Sequence, residues 1–150
     1  MRRAARILAL LTACLLSVPA AASAHGGNPD YLSVLDAVSP RVPGVEFRVL
    51  DYDSHYQVLD EHGHEVVIYG YNEEPYARIL HDGTVQVNRR SPATYLNEDR
   101  FAEVKVPAYA DPKAKPQWET VDHSGTFVWH DHRMHYMSPD LPPQVTDKSR

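Results

Sequence analysis

After residue 24 this chain never sustains a helical period. Its apolar residues fall into short runs that alternate with polar ones and stop at turn residues. A period of two places alternate side chains on opposite faces, which suits half-buried strands and leaves no apolar stripe for a helix to bury. Val45, Phe47 and Val49 alternate with Glu46 and Arg48. Further strands are expected at 56–59, 66–71, 76–81, 84–88, 101–106, 117–122 and 126–132. Asp82-Gly83 is the strongest hairpin signal, because both central positions of a tight two-residue turn need positive φ. His123-Ser124-Gly125 is read as another hairpin, between 117–122 and 126–132. His62-Gly63-His64 and Asn72 to Pro75 are read as turns. Residues 89–100 and 108–116 read as irregular. Twelve prolines and seven glycines fit such a strand-and-turn chain. The expected fold is all-β: a small antiparallel β-sandwich or barrel-like domain of roughly seven strands.

The first residues belong to another process. Arg2, Arg3 and Arg6 form a basic start, residues 7–16 are apolar, and Ala22-Ser23-Ala24 is a small-residue cleavage site. Residues 1–24 therefore read as a secretory signal peptide, with His25 as the mature N-terminus. Leu11-Thr12-Ala13-Cys14 also resembles a bacterial lipobox, which would make an acylated Cys14 the first mature residue. The apolar run continues past Cys14, which favours cleavage after Ala24. The β-sandwich domain is expected over 25–137. A proline-rich polar tail follows over 138–150, and its lack of a closing apolar strand suggests a domain finished by residues beyond Arg150.

Loss of three arginines with the signal leaves 12 basic against 20 acidic residues, a charge of about −8. Such a domain is a poor ligand for nucleic acid or anionic lipid. Membrane attachment would need a lipid or a C-terminal anchor. Cys14 is the only cysteine, so no disulfide staples the mature fold. Stability must come from the core or from a metal.

Three of the nine histidines, His130, His132 and His135, fall within six residues, beside Met134 and Met137. Imidazole is the commonest metal ligand, and thioethers favour soft ions such as Cu(I). On an extended strand His130 and His132 share a face. His135 has the other parity and joins them only if the chain bends near Arg133 and Met134. His25 adds an α-amine and a ring nitrogen that can chelate one ion. The metal ligands read from the sequence are thus His25, His130, His132 and His135, for copper, with zinc as the alternative. The competing reading is a solvated strand with Phe127 and Trp129 in the core and the histidines facing water or pairing with Asp131. His62, His64 and His81 are read as surface turn residues sharing no ligand. No G-x-S-x-G elbow surrounds Ser124, and no H-E-x-x-H, phosphate loop or EF-hand pattern is present. Glu73-Glu74 and the Asp51, Asp53, His55 group carry no specific spacing.

The start His25-Gly26 resembles that of the lytic polysaccharide monooxygenases and of some periplasmic copper carriers. The segment from His25 to Tyr31 (HGGNPDY) and the run WHDHRMHYM at 129–137 resemble an uncharacterised family of exported actinobacterial proteins. That resemblance implies a place in the cell envelope or outside it, and no particular chemistry. The function expected is copper capture or delivery at the cell envelope, with an envelope protein as partner. The alternatives are a non-catalytic envelope interaction domain with incidental histidines, and a copper oxidase built on His25.

Overall fold

A computed structural model describes residues 31–145. The signal segment, Cys14 and His25 lie outside the described residues. Seven strands form two antiparallel sheets. These are β1 (Val45–Leu50), β2 (His55–Asp60), β3 (Val66–Tyr69), β4 (Pro75–Ile79), β5 (Val85–Asn88), β6 (Trp118–Asp122) and β7 (Thr126–Trp129). One sheet has the order β1-β2-β7, the other β3-β4-β5-β6. The result is sandwich-like and not a closed barrel.

Alternation does the sorting. In β7, Phe127 and Trp129 are buried while Val128 faces outward. They meet Val58 of β2 and, from the other sheet, Ile68, Tyr76, Ala77, Ile79 and Val85. Phe127 stacks on Trp129 at 5.5 Å and meets Tyr76 edge-on at 5.8 Å. The core is therefore the contact between the sheets, as expected when each sheet has one apolar face. The expected β4–β5 hairpin forms, but through the three residues His81 to Gly83: only Gly83 has positive φ, at +79°, and Leu80 N–H donates to the Thr84 carbonyl at 2.8 Å.

Four expectations need correction. Residues 101–106 form no strand. Ala102 has φ +60°, and the Asp99 carboxylate accepts the N–H groups of Phe101 and Glu103 at 2.9 and 3.0 Å, winding the chain into a turn. A side chain that captures nearby backbone donors competes with a sheet ladder. Residues 117–122 and 126–132 are not a hairpin, because β6 pairs with β5 while β7 pairs with β2. The turn 123–125 carries the chain from one sheet to the other. The last strand stops at Trp129, not at His132. The segment 89–100, read as irregular, contains one helical turn, α1 (Ala93–Leu96).

The crossing turns meet at one end of the sandwich. Gly125 donates to the Gly83 carbonyl at 2.9 Å, and Asp60 N–H donates to the Gly125 carbonyl at 2.9 Å. Gly125 has φ +69°, and a Cβ there would lie 2.8 Å from the Asp60 carbonyl oxygen, so only glycine fits. The buried Asp60 carboxylate accepts the N–H groups of His62 and His64 and the His64 ring at 2.7 Å. Burial pushes its pKa up, but these bonds win and hold it below the ordinary value. The β1–β2 turn, the long β5–β6 connection and the chain leaving β7 gather at the opposite end.

Candidate metal centre

His130 is the first residue past β7. Asp131 stays extended (φ −142°, ψ 121°) and its carboxylate accepts the Arg133 N–H at 2.9 Å. That bond caps a short 3-10 turn, His132–Met134, which reverses the chain and returns His135 beside His130. The bend required for His135 is therefore supplied by Asp131, within the motif itself. His130 and His132 flank the extended Asp131, just past the end of β7 rather than within a strand.

The ring centroids of His130 and His135 are 4.6 Å apart, those of His130 and His132 5.3 Å, and those of His132 and His135 5.9 Å. One ring nitrogen of each lies within 4.8 Å of those of the other two, so the three histidines could hold a metal ion.

The second nitrogen of every ring is engaged by backbone. His130 Nδ1 donates to the Ser54 carbonyl at 2.5 Å, and His135 Nδ1 to the Tyr136 carbonyl at 2.9 Å. His132 Nε2 donates to the Asp99 carbonyl at 2.8 Å. A carbonyl only accepts, so each bond places the ring proton on the nitrogen facing it. What remains is an unprotonated Nε2 on His130, Nε2 on His135 and Nδ1 on His132. The two Nε2 atoms lie 2.8 Å apart. At that distance the two nitrogens share either a proton, in an N–H···N hydrogen bond, or a bound cation. Donation of the non-ligating N–H to a carbonyl is the usual support of a metal-bound histidine, and here all three have it. The donor set fits a borderline divalent ion.

Electrostatics agree. His130 is buried, and its pKa is lowered chiefly by burial, then by the neighbouring histidines. His135 is lowered chiefly by burial, with Arg100 contributing. Both rings are thereby held in the neutral, ligating form. Asp131 is not a partner for these histidines. Its carboxylate binds Trp129 Nε1 at 3.1 Å and the Arg133 guanidinium at 2.6 and 2.8 Å. Burial opposes its ionisation, but those bonds hold its pKa below the ordinary value. Met134 is buried and Met137 exposed.

Several supporting residues were missed in the sequence. Tyr71 stacks on His132 with ring planes 7° apart, and its hydroxyl accepts the His132 N–H at 3.0 Å while donating to Asn97. Burial pushes the phenol up to about 12, so it keeps its proton. Ser54, Asp99 and Tyr136 act through carbonyl groups, which every residue possesses and no sequence pattern can reveal. Residues 31–33 cross over the site: Tyr31 stacks on Tyr136, and Ser33 donates its hydroxyl to the Met134 carbonyl.

His62, His64 and His81 lie at the far end of the sandwich. His81 Nδ1 donates to the Gly63 carbonyl at 2.7 Å, so the two turns do meet. Among the described residues, His130, His132 and His135 form the one group with converging ligand atoms. No family model, curated protein or solved structure shows significant similarity to this chain. The site therefore has to be read from its own geometry.

Proposed function

We propose that this chain is an exported copper-binding protein that captures or delivers the metal at the cell envelope. The observation that carries the reading is the triad of imidazoles, each anchored by a carbonyl on one nitrogen and converging on the other. Such preorganisation lowers the cost of binding because the rings are already oriented. Three neutral nitrogen donors suit copper, and zinc is the alternative. Export rests on the basic start, apolar run and Ala22-Ser23-Ala24 site, and the resemblance to exported actinobacterial proteins points the same way. An envelope protein would be the partner in delivery.

Calorimetric titration of Cu(II) into protein beginning at His25, with EPR, tests this beside a His130→Ala/His132→Ala variant. The expected result is one tight site with nitrogen hyperfine structure, lost in the variant. Weak binding that the variant leaves unchanged would remove the metal reading and favour an envelope interaction domain.

One observation favours His25 as a further ligand and, with it, a copper oxidase. The contacts of Tyr31 and Ser33 bring residues 31–33 to the 3-10 turn. His25 is six residues before Tyr31, and six extended residues reach about 20 Å. Oxidation of added reductant by the copper-loaded protein, lost when the N-terminus is extended by one residue, is the expected signature.

A further inference from the structure

Three neutral imidazoles bring no charge to offset a divalent ion. The carboxylates around them are matched already: Asp131 with Arg133 at 2.6 Å, and the fully buried Asp53 with Arg100 at 2.5 Å. A dication held by the triad would therefore add unbalanced positive charge to a half-buried site, which is costly without a counter-ion. Three protein ligands also leave the ion an open position.

Arg100 is paired with Asp53 through Nη2, and its other guanidinium N–H groups are the donors left for that counter-ion. The backbone carbonyl of its chain neighbour Asp99 accepts the His132 ring N–H. With His130, Arg100 lines a cavity of about 100 Å³, completed by Ser54, His55, Asn97 and Glu98. One water needs about 10–15 Å³ of such space, so the cavity has room for a small polyatomic ion. Glu98 is exposed, so its charge is solvated at the rim. The cavity shares His55, Asn97, Glu98 and His130 with a wider groove of about 390 Å³ between the sheets, which gives solvent a route to it.

We infer that this cavity is an anion subsite: a small monovalent anion seats between the metal and the Arg100 guanidinium as the exogenous ligand. The inference rests on the metal reading above and adds the class of molecule the bound ion takes.

Azide and formate are the small probes, and benzoate is the bulkier monovalent carboxylate set against them. Full-length mature protein loaded with one Cu(II) would be titrated with each, following charge-transfer absorption and EPR. Saturable one-to-one binding of azide and formate is expected, with no response to benzoate. Arg100→Lys should bind azide within about threefold of the unaltered protein. Arg100→Gln should bind it at least about tenfold more weakly, the usual consequence of losing a charge-assisted hydrogen bond. Metal affinity should change less than azide affinity in both. A copper-loaded protein whose spectrum azide leaves untouched overturns the subsite while the copper site stands. Equal responses to azide and benzoate, or Arg100→Gln binding azide unchanged, also overturn it. Failure to bind copper removes both readings. If Arg100→Gln does not fold, the size selectivity of the unaltered protein decides alone.

Discussion

Among the described residues the sandwich has histidines at both ends, four at each, and they do different work. At the crossing end His62, His64, His81 and His123 come from three separate turns, and three of these rings have a partner of their own. His64 bonds Asp60 at 2.7 Å, His81 bonds the Gly63 carbonyl at 2.7 Å, and His123 shares a hydrogen bond with Thr84 at 3.2 Å. These rings tie turns together. At the other end His130, His132 and His135 come from six consecutive residues folded back by one 3-10 turn, with His55 beside them. Their anchors lie outward, in Ser54, Asp99 and Tyr136, so the free nitrogens face one another. Among the described residues, histidine count is equal at the two ends. The direction of the second nitrogen separates a fastening from a ligand set.

The sharpest way to break this contrast is to remove rings from each end. His130→Ala should abolish stoichiometric Cu(II) binding, while His81→Ala/His123→Ala should leave the dissociation constant unchanged in the same calorimetric titration. Equal losses would mean that the ends are not distinct.

Gly125→Ala tests the fastening. The added Cβ would meet the Asp60 carbonyl at 2.8 Å in a left-handed conformation. Denaturant midpoints should show a loss of about 1–3 kcal/mol. The protein that remains folded should bind copper as before.

Tyr71→Phe probes the ligand end more gently. It removes the acceptor for the His132 N–H and leaves the ring stack in place. Stability should fall by about 1 kcal/mol, and copper affinity by about tenfold, as for other outer-sphere losses. A Tyr71→Phe protein with unaltered affinity would show that the stack alone orients His132.

The ends should also part company with pH. His130 and His135 have folded-state pKa values below that of the unfolded chain. As pH falls from about 6.5 through those lowered values, the unfolded state takes up more protons and metal-free stability declines. Copper affinity should weaken from about pH 6 downward, since protons compete for the same nitrogens. Asp60 is likewise depressed, from a carboxylate's ordinary value, so its contribution persists above 3.8 and is lost only as pH falls through its lowered value. Amide exchange should show the His130 end loosening at the higher pH and the Asp60 end at the lower. Simultaneous loosening would contradict the separation.

Much of the sheet content was legible because alternation is a property of neighbouring residues. The strand Val45 to Val49 and the buried pair Phe127 and Trp129 follow from it, and Gly83 marks the β4–β5 hairpin just as locally. The same signal misled at 101–106, where Val104 and Val106 alternate but Asp99 captures the preceding amides and Ala102 turns left-handed. It also misled at 123–125. A turn between two strands looks the same whether they pair with each other or with different sheets. Asp60 and Gly83 settle that choice, and they lie far away in the chain.

The triad divides along the same line. That three histidines stand close to a bend could be read from residues 130–135, since Asp131 supplies the cap locally. Which nitrogen each ring offers depends on the carbonyls of Ser54 and Asp99, dozens of residues away. Carbonyl groups are common to every residue, so their positions carry no sequence signature. Local pattern set the strands and gathered the rings. Packing of the two sheets placed the acceptors that turn those rings into a possible ligand set.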